Sequence, residues 1–129
     1  VCIVLVSSIE HGERLESLIE GAAVLHSKLP AKVRRERVAA LRSGQLKCAI
    51  ATSLMDEGAD FPVASVLILA AGGRSSTKTI QRAGRVMRPH AGKTCGIIYD
   101  FADRGLRFAH AQHRARVRVY RELNYTIEK

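Results

Sequence analysis

Leu46-Lys47-Cys48-Ala49-Ile50-Ala51-Thr52-Ser53 is a largely apolar run that stops at two hydroxyl-bearing residues. Four other stretches share its design. Cys2–Val6 runs into Ser7-Ser8, Ala22–Leu25 into His26-Ser27, Ser65–Ala70 toward Gly72–Thr77, and Thr94–Asp100 closes on an acid. Between these runs the pattern turns helical: Leu15, Leu18 and Ile19 fall at i, i+3, i+4, Val38 and Leu41 follow Pro30, and Thr77 to Arg88 forms a third segment. Continuous apolar strands joined by helices predict an α/β fold, a parallel sheet with helices on both faces. Such a sheet carries its ligand loops at the carboxyl ends of the strands. The residues there are mostly small and polar, which suits a phosphate-facing rim. The last segment, Asp103 to Glu122, carries Arg104, Arg107, Arg114, Arg116, Arg118 and Arg121 and reads as one or two basic helices on the sheet's edge. The expected organisation is a single domain over 1–129, with a core over about 1–103 and a helical extension over 104–129.

Gln81-Arg82-Ala83-Gly84-Arg85-Val86-Met87-Arg88, closed by Pro89, is the densest concentration of chemistry. At about 100° per residue, Gln81, Arg85 and Arg88 share a helical stripe, while Ile80, Ala83 and Met87 lie roughly opposite and can anchor it. Gly84 permits close approach on one side, and Pro89 favours an end near Arg88. Guanidinium groups one turn apart suit a polyphosphate, because each offers a planar fork of donors and a permanent charge. A solvated basic face is the competing reading of this stretch alone.

Composition narrows the partners. The chain has 129 residues, 47% hydrophobic and 26% charged, with a net charge of +9. That balance describes a globular domain with a real core and favours an anionic partner, nucleic acid first. Cys2, Cys48 and Cys95 are widely spaced in apolar runs without a CxxC pair, which predicts buried free thiols in a reducing, cytoplasmic compartment and no metal site. No apolar run reaches the roughly 18 residues of a membrane span, and no signal-peptide pattern is visible. The chain begins inside an apolar run, as a domain cut from a longer protein would.

Two phosphate-binding patterns compete. Gly72-Gly73-Arg74-Ser75-Ser76-Thr77-Lys78-Thr79 nearly matches a Walker A loop, but Thr77 stands where glycine is needed for the backbone to wrap a phosphate. Ile97-Ile98-Tyr99-Asp100 imitates a Walker B strand only as any apolar strand ending in Asp does. A loop offering hydroxyls and amides to a nucleic-acid phosphate is the alternative for Gly72–Thr79. Ala51 to Pro62 begins where a strand ends: Thr52 can donate to a phosphate oxygen, Gly58 permits close ligand approach, and Asp60 can accept from a ribose hydroxyl or an arginine. An ordinary Gly- and Asp-bearing turn is the plain reading of the same residues.

Taken together, these pieces resemble the second RecA-like domain of superfamily 2 helicases and translocases, the DExD/H-box type. Thr52 to Pro62 looks like motif V, Gln81 to Arg88 matches the Q-x-x-G-R-x-x-R of motif VI, and Ile3–Val6 with Ser7-Ser8 looks like motif IV. Leu25-His26-Ser27 followed by Leu41-Arg42-Ser43-Gly44 is similar to the family's next strand and helix. The resemblance implies a RecA-like sheet and an ATP cleft shared with an N-terminal RecA-like domain, which would supply Walker A and the Mg²⁺ ligands. It implies arginine fingers at Arg85 and Arg88, with Gln81, Gly58 and Asp60 on the nucleotide side. Ser8, His26, Ser27, Thr52, Ser76 and Thr77 would hold the tracked strand, with Ser7 as a further contact; Arg34 and Arg42 are weaker phosphate contacts. The Met55–Asp60 wording and Arg88-Pro89 look more like DNA-directed members than RNA-directed ones. The expected activity is that of an ATP-dependent helicase in the full-length protein, with the isolated domain inactive. A non-catalytic nucleic-acid-binding module and a free-standing P-loop NTPase using Lys78 are the alternatives.

Overall fold

We describe a computed structural model of the chain; it describes residues 1–52, 64–71, 84, 88–89, 91–93 and 95–129. Five strands, β1 (Cys2–Leu5), β2 (Ala22–Leu25), β3 (Cys48–Ala51), β4 (Val66–Leu69) and β5 (Ile97–Asp100), form one sheet in the order β2-β3-β1-β4-β5. Every pairing is parallel. Helices α1 (Ile9–Leu18) and α2 (Ala31–Ser43) join the first three strands, and α3 (Arg107–Glu122) follows the last. The expected α/β architecture is therefore the observed one. Apart from β2, which fills its run, each strand is shorter than its apolar run: the fifth starts at Ile97 rather than Thr94.

Alternation of side chains across the pleat splits the core in two. Ile3, Leu5, Leu25, Ala49, Ala51, Leu67 and Leu69 point to one face and pack with Leu41 of α2 and with Val119 and Tyr120 of α3. Val4, Val6, Val24 and Ile50 point to the other, where Leu15 and Ile19 of the α1 segment cover them. The strands are thus apolar on both faces because helices lie on both. The segment beyond residue 103 shares the main core through Val119 and Tyr120, and it forms a single helix beginning at Arg107.

Local signals set the helix ends. Ser8 caps α1, its Oγ accepting from the His11 amide at 3.2 Å. Gly44 ends α2 with φ of 77°, the left-handed conformation that favours glycine. Gly12 lets α1 approach the sheet: a Cβ there would stand 2.9 Å from Val24 Cγ2 and 3.4 Å from Val6 Cγ2. Both neighbours are β-branched and stiff, so only a missing side chain allows this spacing.

The outer edge of β2 is closed by side chains. Glu16 Oε1 accepts from the Val24 amide at 2.9 Å, and Arg37 Nη1 donates to the Val24 carbonyl at 2.6 Å. The two side chains also pair with each other at 3.3 Å. Val24 turns its backbone groups outward, where an unpaired edge would invite another strand. An acid from α1 and a base from α2 occupy that position instead.

The cysteines depart from expectation. Cys2 and Cys48 are register partners on β1 and β3, half-buried and free, while Cys95 is exposed. An apolar run bounds what can be buried, but the pleat decides which of its side chains are. Hydrogen bonding from the Cys2 thiol lowers the Cys48 pKa to about 7, and the same interaction pushes Cys2 well above the usual thiol range.

Candidate functional site

Parallel register aligns the strand ends. Leu25, Ala51, Leu5, Leu69 and Asp100 form one row across the sheet. Beyond that row lie His26-Ser27, Thr52, Val6-Ser7-Ser8, Ala70 and Phe101. The backbone pairing carries on past the strands: Thr52 N donates to Leu25 O at 3.4 Å, Val6 N to Ala51 O at 3.0 Å, and Ala70 N to Leu5 O at 3.0 Å. Ser8, Ser27 and Thr52, far apart in sequence, thus stand at the ends of three adjacent strands spaced about 4.8 Å apart.

This edge is also where the chain reverses its winding. The connection from β1 runs toward β2, on one side of the sheet, while the one from β4 runs toward β5, on the other. In open α/β sheets such a switch point is where a ligand crevice is placed. Ser7 and Ser8 stand on its β1 side, and the chain beyond Ala70 continues from its β4 side.

The row's polar groups differ in availability. Ser7, Ser8 and Ser27 are exposed, and Thr52 is half-buried. Ser8 uses a lone pair in its capping bond, which leaves its O–H free to donate. His26 is buried, and its Nδ1 has no partner among the described residues. Arg34 is half-buried and Arg42 is exposed.

Of the segment expected to form the arginine helix, Gly84 and Arg88 are described. Gly84 is helical and half-buried, and a Cβ there would stand 3.5 Å from the Tyr125 hydroxyl. Gly84 therefore faces the segment that follows α3 at a distance where a Cβ would make only ordinary contact. Arg88 is exposed and lies outside any helix, its carbonyl accepting from Lys93 Nζ at 3.0 Å. Arg88, the residue before Pro89, thus stands outside the helical stripe expected over Gln81–Arg88, in line with the bias against helical backbone before proline. Gly58, Asp60, Ser76, Thr77, Gln81 and Arg85 lie outside the described residues.

Asp100 has a role the sequence reading missed. Its Oδ2 accepts from Arg116 Nε at 2.7 Å and from the Tyr120 hydroxyl at 2.9 Å, with His113 Nδ1 at 3.7 Å. The Asp100 and Arg116 side chains are only 9% and 4% exposed. Burial, and then the neighbouring Asp100, holds the Tyr120 phenol above its usual range. Tyr120 in turn stacks on Tyr125 with ring centroids 6.3 Å apart. The carboxylate that imitated a metal-binding strand end is thus the anchor of α3. Among the described residues no group of three His, Cys, Asp or Glu could hold a metal ion. A helical wheel held the clue: Arg116 falls on the side of Val119 and Tyr120, away from the other arginines of α3.

The model of the helicase conserved C-terminal domain matches residues 1–90. The chain belongs to the helicase conserved C-terminal domain family. Over 103 residues it is 36% identical to candidate helicase 22 of the Sulfolobus islandicus filamentous virus, covering 77% of this chain and 18% of the relative. It is 30% identical over 111 residues to the ATP-dependent DNA helicase RecG of Acidithiobacillus ferridurans, covering 84% and 15%. It is 35% identical over 79 residues to the ATP-dependent RNA helicase rok1 of Neurospora crassa, covering 61% and 10%. This helicase C-terminal domain therefore spans less than a fifth of these relatives. Its fold is that of the C-terminal domain of the DEAD-box protein Dbp5, with a TM-score of 0.65 at 22% identity, over 98% of this chain and 71% of that one. The resemblance to the second RecA-like domain of superfamily 2 helicases is thereby established. No helix among the described residues is long and apolar enough to cross a membrane.

Proposed function

We propose that this domain is the second motor domain of an ATP-dependent nucleic-acid helicase or translocase, completing an ATP site with another RecA-like domain. The alignment of Ser7, Ser8, Ser27 and Thr52 along the carboxyl edge of three adjacent parallel strands carries the reading. A row of hydroxyls there suits successive backbone phosphates, which position a strand without reading its sequence. In this reading Ser8, His26, Ser27 and Thr52 hold the tracked strand, joined by Ser76 and Thr77. Gln81, Gly58 and Asp60 border the nucleotide.

ATP would bring to this cleft a γ-phosphoryl group whose transfer to water builds charge on its oxygens. Arg85 and Arg88 place positive charge against those oxygens, a contribution typically worth about 10³–10⁵ in rate. The exposure of Arg88 and the absence of a carboxylate partner for it among the described residues fit that use. In this proposal carboxylates of the other domain would hold Mg²⁺, while Asp100 stays paired with Arg116. The same pairing of arginine with phosphate draws the two domains together. Its release after hydrolysis shifts the hydroxyl row along the strand.

DNA is the preferred polymer in this proposal, on the Met55–Asp60 wording and Arg88-Pro89; the relatives' names include both DNA and RNA helicases. A cytoplasmic location belongs to the same reading. The test is Arg85→Ala in the complete protein, assayed for ATP hydrolysis with single-stranded DNA and with RNA. Turnover should fall at least about 10³-fold with ATP binding retained, and DNA should stimulate the parent more than RNA. Undiminished stimulated hydrolysis in the variant would leave a static nucleic-acid-binding module as the function.

A further inference from the structure

Helix α3 carries two opposed faces. At about 100° per residue, Gln112, Arg116, Val119 and Tyr120 lie on the side turned to the sheet, where Arg116, Val119 and Tyr120 are buried. Arg107, Arg114, Arg118 and Arg121 fall on the opposite side within an arc of about 60°, and all four are exposed. Along the axis they extend over about 21 Å, at 1.5 Å per residue. Exposed His110 borders the same stripe.

Among the described residues nothing in the fold requires this charge. Among the described residues none of the four guanidiniums has a carboxylate partner, and the nearby acid Asp100 is taken by Arg116. Glu122 is the one acid within the helix. Arg107 occupies the first turn, against the positive end of the helix dipole, and Leu106 supplies no side-chain cap. Four like charges in a row repel one another and so work against the helix unless an anion lies across them.

We propose that this outward face of α3 is a second nucleic-acid surface, holding a phosphate backbone outside the ATP-coupled row at the strand ends. The inference rests on nucleic acid being the partner, as in the proposed function. Arginine suits the task because its guanidinium donates bidentately to phosphate. One-turn spacing between Arg114 and Arg118 presents two such forks to a continuous backbone, whereas a compact anion would engage only one or two. Asp100 holds α3 through Arg116 and Tyr120 at the last residue of β5, so the surface is fixed to the same edge as the strand-end row. A polymer leaving that row would be retained during the step in which the row lets go.

The test is the salt dependence of binding by the complete protein, measured without ATP by fluorescence anisotropy on fluorescein-labelled oligothymidylate and on a labelled oligouridylate of the same length. The parent is compared with the fourfold variant Arg107→Gln/Arg114→Gln/Arg118→Gln/Arg121→Gln. A control variant, Arg14→Gln/Lys32→Gln/Arg35→Gln/Lys47→Gln, removes the same charge from exposed positions elsewhere. Each lost single-strand phosphate contact should lower the slope of log K against log salt by about 0.7. The fourfold variant should therefore lose about 3 in slope and on the order of a hundredfold in affinity at physiological salt, the control little of either. Replacing the four arginines by lysine should keep most of the slope. The pair Arg114→Gln/Arg118→Gln should lose about half of it, and it serves if the fourfold variant does not fold.

An unchanged slope in the arginine variants, or an equal loss in the control, would overturn the proposal. So would binding of phosphatidylserine vesicles that depends on the four arginines while nucleic-acid binding does not. Because the slope is read without ATP, its outcome is separate from that of the motor reading, which fails if the parent's ATP hydrolysis ignores nucleic acid.

Discussion

Replacing Asp100 by alanine should be among the most damaging single changes in this domain, and the geometry gives its size. The Asp100 carboxylate accepts from Arg116 Nε at 2.7 Å and from the Tyr120 hydroxyl at 2.9 Å, and the two charged side chains are 9% and 4% exposed. Removing it strands the Arg116 guanidinium in a buried setting, where Nη1 already lacks a partner among the described residues. Breaking a buried pair from one side costs about 3–5 kcal/mol, against about 0–1 kcal/mol for an exposed pair. The loss of the Tyr120 hydrogen bond is contained in that figure, since both donors share one oxygen and their effects do not add. With a urea m-value of about 1.5–2 kcal/mol/M, the unfolding midpoint should drop by roughly 2 M. The companion variant Asp100→Leu/Arg116→Met removes both charges, and its stability should return to within about 1 kcal/mol of the parent or exceed it. Urea titrations followed by circular dichroism would measure all three chains. A cost below about 1 kcal/mol for Asp100→Ala, or a double variant as unstable as the single, would refute the view that this pair anchors α3.

Two further outcomes follow from contacts elsewhere. Glu16→Ala/Arg37→Ala uncovers the Val24 amide and carbonyl at the edge of β2, and should cost about 1–3 kcal/mol while raising self-association; sedimentation velocity that stays monomeric across concentrations would count against the edge-covering role. Cys48, lowered to about 7 by the Cys2 thiol, is increasingly thiolate as pH rises through that value, so its alkylation by iodoacetamide should reach half its maximal rate near pH 7. Cys2→Ala removes the donor and should move that midpoint up toward about 8.5; an unmoved midpoint in peptide-mapped rate measurements would contradict the assigned cause.

Much of the fold was readable because its signals are local. Ile3, Ala49, Ile50 and Leu67 sit in short runs without polar interruption, and such runs are stable only when covered on both sides. Ser8 and Gly44 mark helix ends through their own backbone chemistry, which needs no distant partner. The strand-end hydroxyls were legible for the same reason, since each follows its apolar run within two residues. The family could be read because the Gln81–Arg88 spacing recurs intact within one helix-length segment. What the sequence reading misjudged depended on direction. Cys95 lies in an apolar neighbourhood yet is exposed, and Arg116 lies in a basic segment yet is buried.

The amino-acid sequence by itself determined the parallel sheet, the alternation of strand and helix, the hydroxyl-bearing strand ends and the surplus of arginine, because each is set by residues near one another in the chain. The tertiary structure alone decided which strands are neighbours, and so that Ser8, Ser27 and Thr52 form one row. It also decided that Asp100 pairs with Arg116, and that four arginines of α3 face outward while a fifth is buried. Those outcomes depend on contacts between distant segments, where burial makes a partner obligatory for a charge and exposure leaves the same charge free for a ligand.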